Sequence, residues 1–342
     1  MANLSRRAFT LTALSALATP ALIRPARAAS GAVVAAAFPG SWEDAYRNIV
    51  APASGVNVTV APALAQDQIA KLMASPGRPP YDALLVSPGQ TATLIEAGLI
   101  EKIDPSKLKN WDKLSPIAQN EWGPFVTIEV NGIAYNPEVV DKPAGYKALF
   151  EDPQYDGQVA YIGFGSNTAT MAWTEINKIY GGTYEDMGPV FDLIKSHLSR
   201  IGAIATSGSN QMTMYQQGEV AVFMASTGNV AKLRELGMPC DFAHPESGSP
   251  SVPVAIHLVK GAQDPAAVYA YMDAAISAAA QAQLAEAPTA MLPTNIDVPY
   301  SAVLSEYVTP EQVAAAVYPD WIAINKHRAD WTNTFDRIVV GG

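Results

Sequence analysis

The stretch Gly31-Ala-Val-Val-Ala-Ala-Ala-Phe-Pro-Gly-Ser-Trp42, taken with Val56-Asn-Val-Thr-Val60 and Tyr81-Asp-Ala-Leu-Leu-Val86-Ser-Pro-Gly89, decides the fold. Its first and third parts are short apolar runs closed by proline and glycine, which reads as buried strands followed by turns. The middle part alternates in the manner of a strand with one face covered. Between these strands, residues 66–74 carry a helical pattern, and a second helix runs over 90–97 until Gly98 breaks it. Ser41 stands where it caps a helix whose first turn holds Glu43 and Asp44, acids suited to the positive helix end. Alternation of strand and helix predicts an α/β architecture with mainly parallel sheets flanked by helices.

Further along, residues 125–135 are strand-like and close at Asn136-Pro137. Residues 157–162 form another strand, which leads through Gly163-Phe-Gly-Ser-Asn-Thr168 into a helix over 169–180. Residues 207–210 precede a helix over 211–217, and an apolar strand follows over 220–224. Residues 265–286 read as one or two Ala-rich helices, Pro293 and Pro299 mark a break, and the remainder to 338 is helical with Trp321 and Trp331.

The first 28 residues read as a targeting segment to be set aside from the fold. Arg6-Arg7 precedes an uncharged apolar run over 8–23, and Ala26-Arg27-Ala28 offers small residues two apart. This resembles a twin-arginine (Tat) signal cleaved near Ala28. The run is broken by Pro20 and falls short of the roughly 20 residues that a membrane-spanning helix needs. Cys240 is the only cysteine, so neither a disulfide nor a lipidated cysteine at the cleavage site is expected. A free exported protein of this kind is expected in a Gram-negative periplasm.

Residues 1–28 hold four arginines and no acid, so without them 18 basic face 32 acidic side chains and the net charge is −14 rather than −10. Such a surface repels phosphate backbones and argues against a nucleic-acid partner. The remaining 314 residues suffice for two domains.

Ligands of open α/β sheets bind beyond the carboxyl ends of the strands. The candidates are therefore Ser41 and Trp42, Ser87 and Gln90, Phe164 with Ser166, Asn167 and Thr168, Ser209 and Asn210, and Ser226 and Thr227. Hydroxyls, amides and helix N-termini after Ser87, Gly165 and Ser209 make a neutral hydrogen-bonding cleft, with Trp42 or Phe164 as its aromatic face. Each polar candidate equally suits a helix cap, and Trp42 equally suits helix packing. Asp82 and Tyr135 read as structural. His197, His244, His257 and His327 show no metal-ligand spacing, and the chain has no G-x-S-x-G elbow, P-loop lysine or complete dinucleotide fingerprint. No enzyme, metal or cofactor is expected.

The ordered motifs Phe38-Pro-Gly-Ser-Trp42, Tyr81-Asp-Ala-Leu-Leu-Val86, Ala97-Gly-Leu-Ile100, Gly132-Ile-Ala-Tyr-Asn136, Asp152-Pro-Gln-Tyr-Asp-Gly157, Gly218-Glu-Val-Ala-Val222 and Pro245-Glu-Ser-Gly248 carry a family resemblance. Together they resemble the spermidine/putrescine-binding-protein-like group of periplasmic solute-binding proteins. The resemblance implies a two-lobed type II periplasmic-binding-protein fold with a ligand cleft between the lobes. It implies lobe 1 over 29–126 and 252–297, lobe 2 over 127–251 and 298–342, and crossings near 125–130 and 250–254. It further implies a monomer that closes on a small-molecule ligand and delivers it to the permease of an ABC transporter in the inner membrane.

One departure stands out. The group's polyamine binders hold ammonium groups with carboxylates and aromatic walls, whereas this chain has Gly163, Phe164 and Asn167, then Ser226, then Val252 and Val254 at those places. A carboxylate, phosphonate or sugar-like solute is therefore expected, with an amine as the alternative. An exported enzyme or a chemosensory binding protein on the same scaffold are the other readings.

Overall fold

A strand of alanine and valine, β1 (Ala32–Ala37), lies at the heart of the first sheet segment because side chains this small let helices approach both faces. It pairs in parallel with β2 (Asn57–Pro62) and β3 (Ala83–Val86), as the alternation of strand and helix predicts. The computed structural model describes residues 31–75, 77–286 and 289–341. The targeting segment read in residues 1–28 lies outside the described residues.

β4 (Phe125–Tyr135) is the longest strand, at 11 residues, and two sheet segments share it. β5 (Val159–Ile162), β6 (Ala203–Ala205), β7 (Val222–Ser226), β8 (Asp241–Ala243) and β9 (Ser251–Leu258) complete the described strands. The sheet order is β2-β1-β3-β9-β4-β7-β5-β6, with β8 also on β4. The first half of β4 runs antiparallel to β9, with Glu129 opposite Val252 and Val130 opposite Ser251. From Asn131 onward its partner is β7, with Asn131 opposite Ser226, and β8 joins from Ile133. β5 then pairs in parallel with β6 and β7. Helices flank the sheet throughout.

Separate apolar cores lie along the path. Val33, Tyr46, Leu85, Ile256 and Met272 pack around β1, β3 and β9. Tyr146, Phe150, Tyr161, Trp173 and Phe335 pack around β5, joining distant sequence to the C-terminal helix Trp321–Gly341. Each large side chain buried in this way contributes about 1.5–3 kcal/mol. Asp82 is fully buried but satisfied, since its carboxylate accepts the N–H groups of Val34 (2.8 Å) and Gln263 (3.1 Å). It is a structural acid, as its sequence context suggests. Cys240 is buried, and burial pushes its thiol up.

Several elements depart from the sequence expectations. The helix Ser41–Ala45 is preceded by Gly40 at φ 81°, so Ser41 opens the helix instead of capping it and its hydroxyl bonds no cap N–H. The helix Gly208–Gln216 begins ahead of the expected 211 because the Ser207 hydroxyl accepts the N–H of Asn210 at 3.1 Å. Ser209 and Asn210 consequently lie in its first turn and not before it. Val252 and Val254 are core residues of β9.

Gly132 lies where β4 passes between β7 and β8. A Cβ there would stand 2.6 Å from the Ala243 carbonyl oxygen and 2.7 Å from the Phe242 ring. Gly132→Ala is expected to lower unfolding free energy by about 1–3 kcal/mol, measured by urea denaturation. An unchanged midpoint would mean that β8 is not held against β4.

Candidate functional site

Where β1 and β7 end, their carboxyl termini open onto the same face of β4. Ser41 and Trp42 from one side, and Ser226 and Thr227 from the other, line a single cavity of about 380 Å³. Thr127, Ile128 and Glu129 of β4 line it as well, and Asn229, Lys232 and Glu235 of the helix Thr227–Glu235 extend the wall. Four candidates drawn from segments nearly 190 residues apart in sequence are thus brought together.

Trp42 packs against neighbouring rings and also lines the cavity. It stacks on Tyr46 at 6.1 Å between ring centroids and meets Phe38 edge-on at 5.4 Å, which packs one face, while the indole also borders the cavity. Ser226 donates its N–H and its hydroxyl to Asn229 Oδ1, both at 3.0 Å, and so ties the end of β7 to the helix that follows. The Ser41 and Thr227 hydroxyls have no hydrogen-bond partner among the described residues and are free to meet a solute.

Glu129 adds an acid to the lining of this cavity, where the strand-end candidates are neutral. It is half-buried on β4, and its carboxylate has no hydrogen-bond or ion-pair partner among the described residues. Burial raises its pKa to about 6, because the charged form loses hydration without gaining a partner. Lys232 also lines the cavity, but its ammonium pairs with Glu235 at 2.7 Å. The signal was present in the sequence: Glu129 is the lone charge in an otherwise uncharged run from Phe125 to Tyr135.

The remaining candidates fall elsewhere. Phe164 is no cleft wall, because it is fully buried, with its ring against Trp173, Phe191, Trp331 and Phe335. Ser166 caps the helix Asn167–Ile179 by accepting the Ala169 N–H and borders a different cavity of about 590 Å³, beneath Phe335 and Asp336. Asn167 and Thr168 are half-buried in that helix's first turn and border neither cavity. Ser209 is exposed, and Asn210 is occupied in accepting the Thr206 N–H at 3.1 Å.

Ser87 and Gln90 flank Gly89, on which the C-terminal helix packs, and neither lines the β4 cavity. The Trp321 ring lies on Gly89, and Asn325 Nδ2 donates to the Gly89 carbonyl at 2.7 Å. Further along the same helix, Arg328 donates to the Phe164 carbonyl at 2.7 Å and the Gly165 carbonyl at 3.0 Å. The loops after β3 and β5 are therefore bridged by a single helix.

His257 of β9 steadies the loop after β3 from below. Its Nδ1–H donates to the Trp122 carbonyl at 2.8 Å, which leaves Nε2 to accept the Thr91 hydroxyl at 2.8 Å. Thr91 Oγ1 also lies 3.2 Å from the Ser87 carbonyl.

The sequence model for bacterial extracellular solute-binding proteins matches residues 47–312. The chain belongs to that family. Among its relatives is the spermidine/putrescine-binding periplasmic protein of Escherichia coli K12, 26% identical over 184 residues, which are 49% of this chain and 50% of that protein. The Salmonella typhimurium protein of the same name is 24% identical over the same extent. The chain thus spans about half the length of the curated relatives it matches. This solute-binding protein shares its fold with a putative extracellular solute-binding protein from Bordetella parapertussis, at TM-score 0.79 and 20% identity over 90% of this chain and 99% of the other. A spermidine/putrescine ABC transporter substrate-binding protein from Streptococcus pneumoniae matches at TM-score 0.75 and 15% identity, covering 91% and 99%. The architecture is that of the periplasmic binding proteins.

Burial lowers the His257 pKa to about 4, so the unfolded chain binds more protons between that value and the ordinary 6.5. The corresponding stability is present above pH 6.5 and is lost as pH falls towards 4, an effect of about 3 kcal/mol. Denaturation of wild type and His257→Gln at pH 7 and pH 4 should show their stability difference shrinking by that amount. A constant difference would mean that the imidazole is not held neutral.

Proposed function

We propose that this chain is the substrate-binding component of an ABC importer, capturing a small polar organic solute and handing it to a permease in the inner membrane. The carrying observation is the cavity on β4, whose walls come from the ends of two different sheet segments. A solute held there touches both segments at once, so its binding energy is available to favour a closed state over an open one. In this reading residues 29–126 with 252–297 form one lobe and residues 127–251 with 298–342 the other, and the strands between them flex. Ser41, Trp42, Ser226 and Thr227 contact the solute, with Trp42 as the aromatic wall and the hydroxyls fixing orientation. The protein acts in the periplasm as a monomer after Tat export, without cofactor or catalysis. The family and the spermidine/putrescine-binding names of its curated relatives support transport.

Isothermal titration against a panel of polar solutes, with small-angle scattering on the complex, tests this reading. Trp42→Ala is expected to weaken binding about tenfold to a hundredfold, and Thr227→Val up to about tenfold. The radius of gyration should fall when solute binds. Chemical turnover of the solute would end the transport reading, and an unchanged radius would end the closure.

A further inference from the structure

We propose that Glu129 selects the solute by pairing with a single ammonium group, so that the cavity takes a monoammonium compound with a neutral polar remainder. This rests on the β4 cavity being the solute site. Within that cavity the ionisable side chains are Glu129, Lys232 and Glu235; the latter two form an exposed ion pair at 2.7 Å, so two acids and one lysine leave the lining one net negative charge. One uncompensated negative charge remains, on the strand that both sheet segments share. An anionic solute would meet that charge in a desolvated setting without a free cation to offset it. A diamine would satisfy Glu129 with one end and leave its second ammonium without a free acid. A single ammonium matches the inventory.

Two further features agree. Trp42 borders the same cavity, and the face of an indole attracts a cation within about 6 Å of its centroid. The Ser41 and Thr227 hydroxyls, unpartnered among the described residues, suit hydroxyl or amide groups on the remainder of the molecule. At about 380 Å³ the cavity falls towards the small end of the range for organic ligands. Burial already disfavours the ionised carboxylate, so an incoming ammonium restores the partner that hydration would otherwise supply.

The test titrates wild type and Glu129→Gln with ethanolamine, choline and 3-aminopropanol as monoammonium probes with neutral remainders, and with putrescine, succinate and glucose as the contrast set. The expected result is that the wild type prefers a monoammonium probe and that Glu129→Gln weakens it by about a hundredfold. Removing an unpaired carboxylate should also leave the melting temperature of the solute-free variant equal to or above that of wild type. Preference for putrescine, succinate or glucose overturns the proposal while leaving the transport reading intact. So does a Glu129→Gln affinity within threefold of wild type, or a lowered melting temperature, which would mark Glu129 as structural. Loss of binding in Trp42→Ala alone would locate the solute at the cavity without Glu129. A wild type that binds none of the monoammonium probes overturns the proposal, and the wider panel of polar solutes then decides the transport reading.

Discussion

The molecule depends on the backbone pairing of one strand. β4 gives its first half to β9 and its second half to β7 and β8, so a single run of 11 residues carries the hydrogen-bond ladders of two sheet segments. A strand in that position has little freedom in side chain, because both faces are covered, and none in register, because a shift of one residue would turn its apolar set outward. Gly132 meets that constraint where β8 approaches most closely, and Val130 and Ile133 meet it by being fully buried. The cavity exists because the segments on either side of this strand end their other strands facing each other across it.

Within so constrained a strand a carboxylate is costly, and its chemistry follows from that cost. Asp82 shows the ordinary resolution, a buried acid satisfied by two backbone N–H groups. Glu129 has no such donors among the described residues, and burial holds its pKa near 6. The contrast between these two acids, both on or beside central strands, is between a carboxylate held by backbone donors and one without a partner among the described residues.

Much of this was legible in the amino-acid sequence. The apolar runs of β1, β3 and β5 and their Pro/Gly or Gly-rich endings located strands and loops, and the short polar residues at strand ends included Ser41, Ser226 and Thr227. β6 escaped notice because a strand of three residues carries too little periodicity. Phe164 was misplaced for a different reason: a helix more than 150 residues later covers it, and local pattern holds no record of such a contact. Glu129 lies within a strand and not in a strand-end loop, and its signal is the lone acid in an otherwise uncharged run.

The bridge made by the C-terminal helix has a consequence of its own. Arg328 grips two carbonyl oxygens and lies 5.6 Å from the Trp321 ring centroid, and Asn325 grips a third carbonyl, so neither contact is an ion pair. Salt weakens exposed charge pairs over a Debye length of about 10 Å at 0.1 M, but it has little hold on charge–dipole contacts that are already partly dehydrated. The loops after β3 and β5 are therefore clasped, within one turn of a single helix, by bonds that respond little to ionic strength.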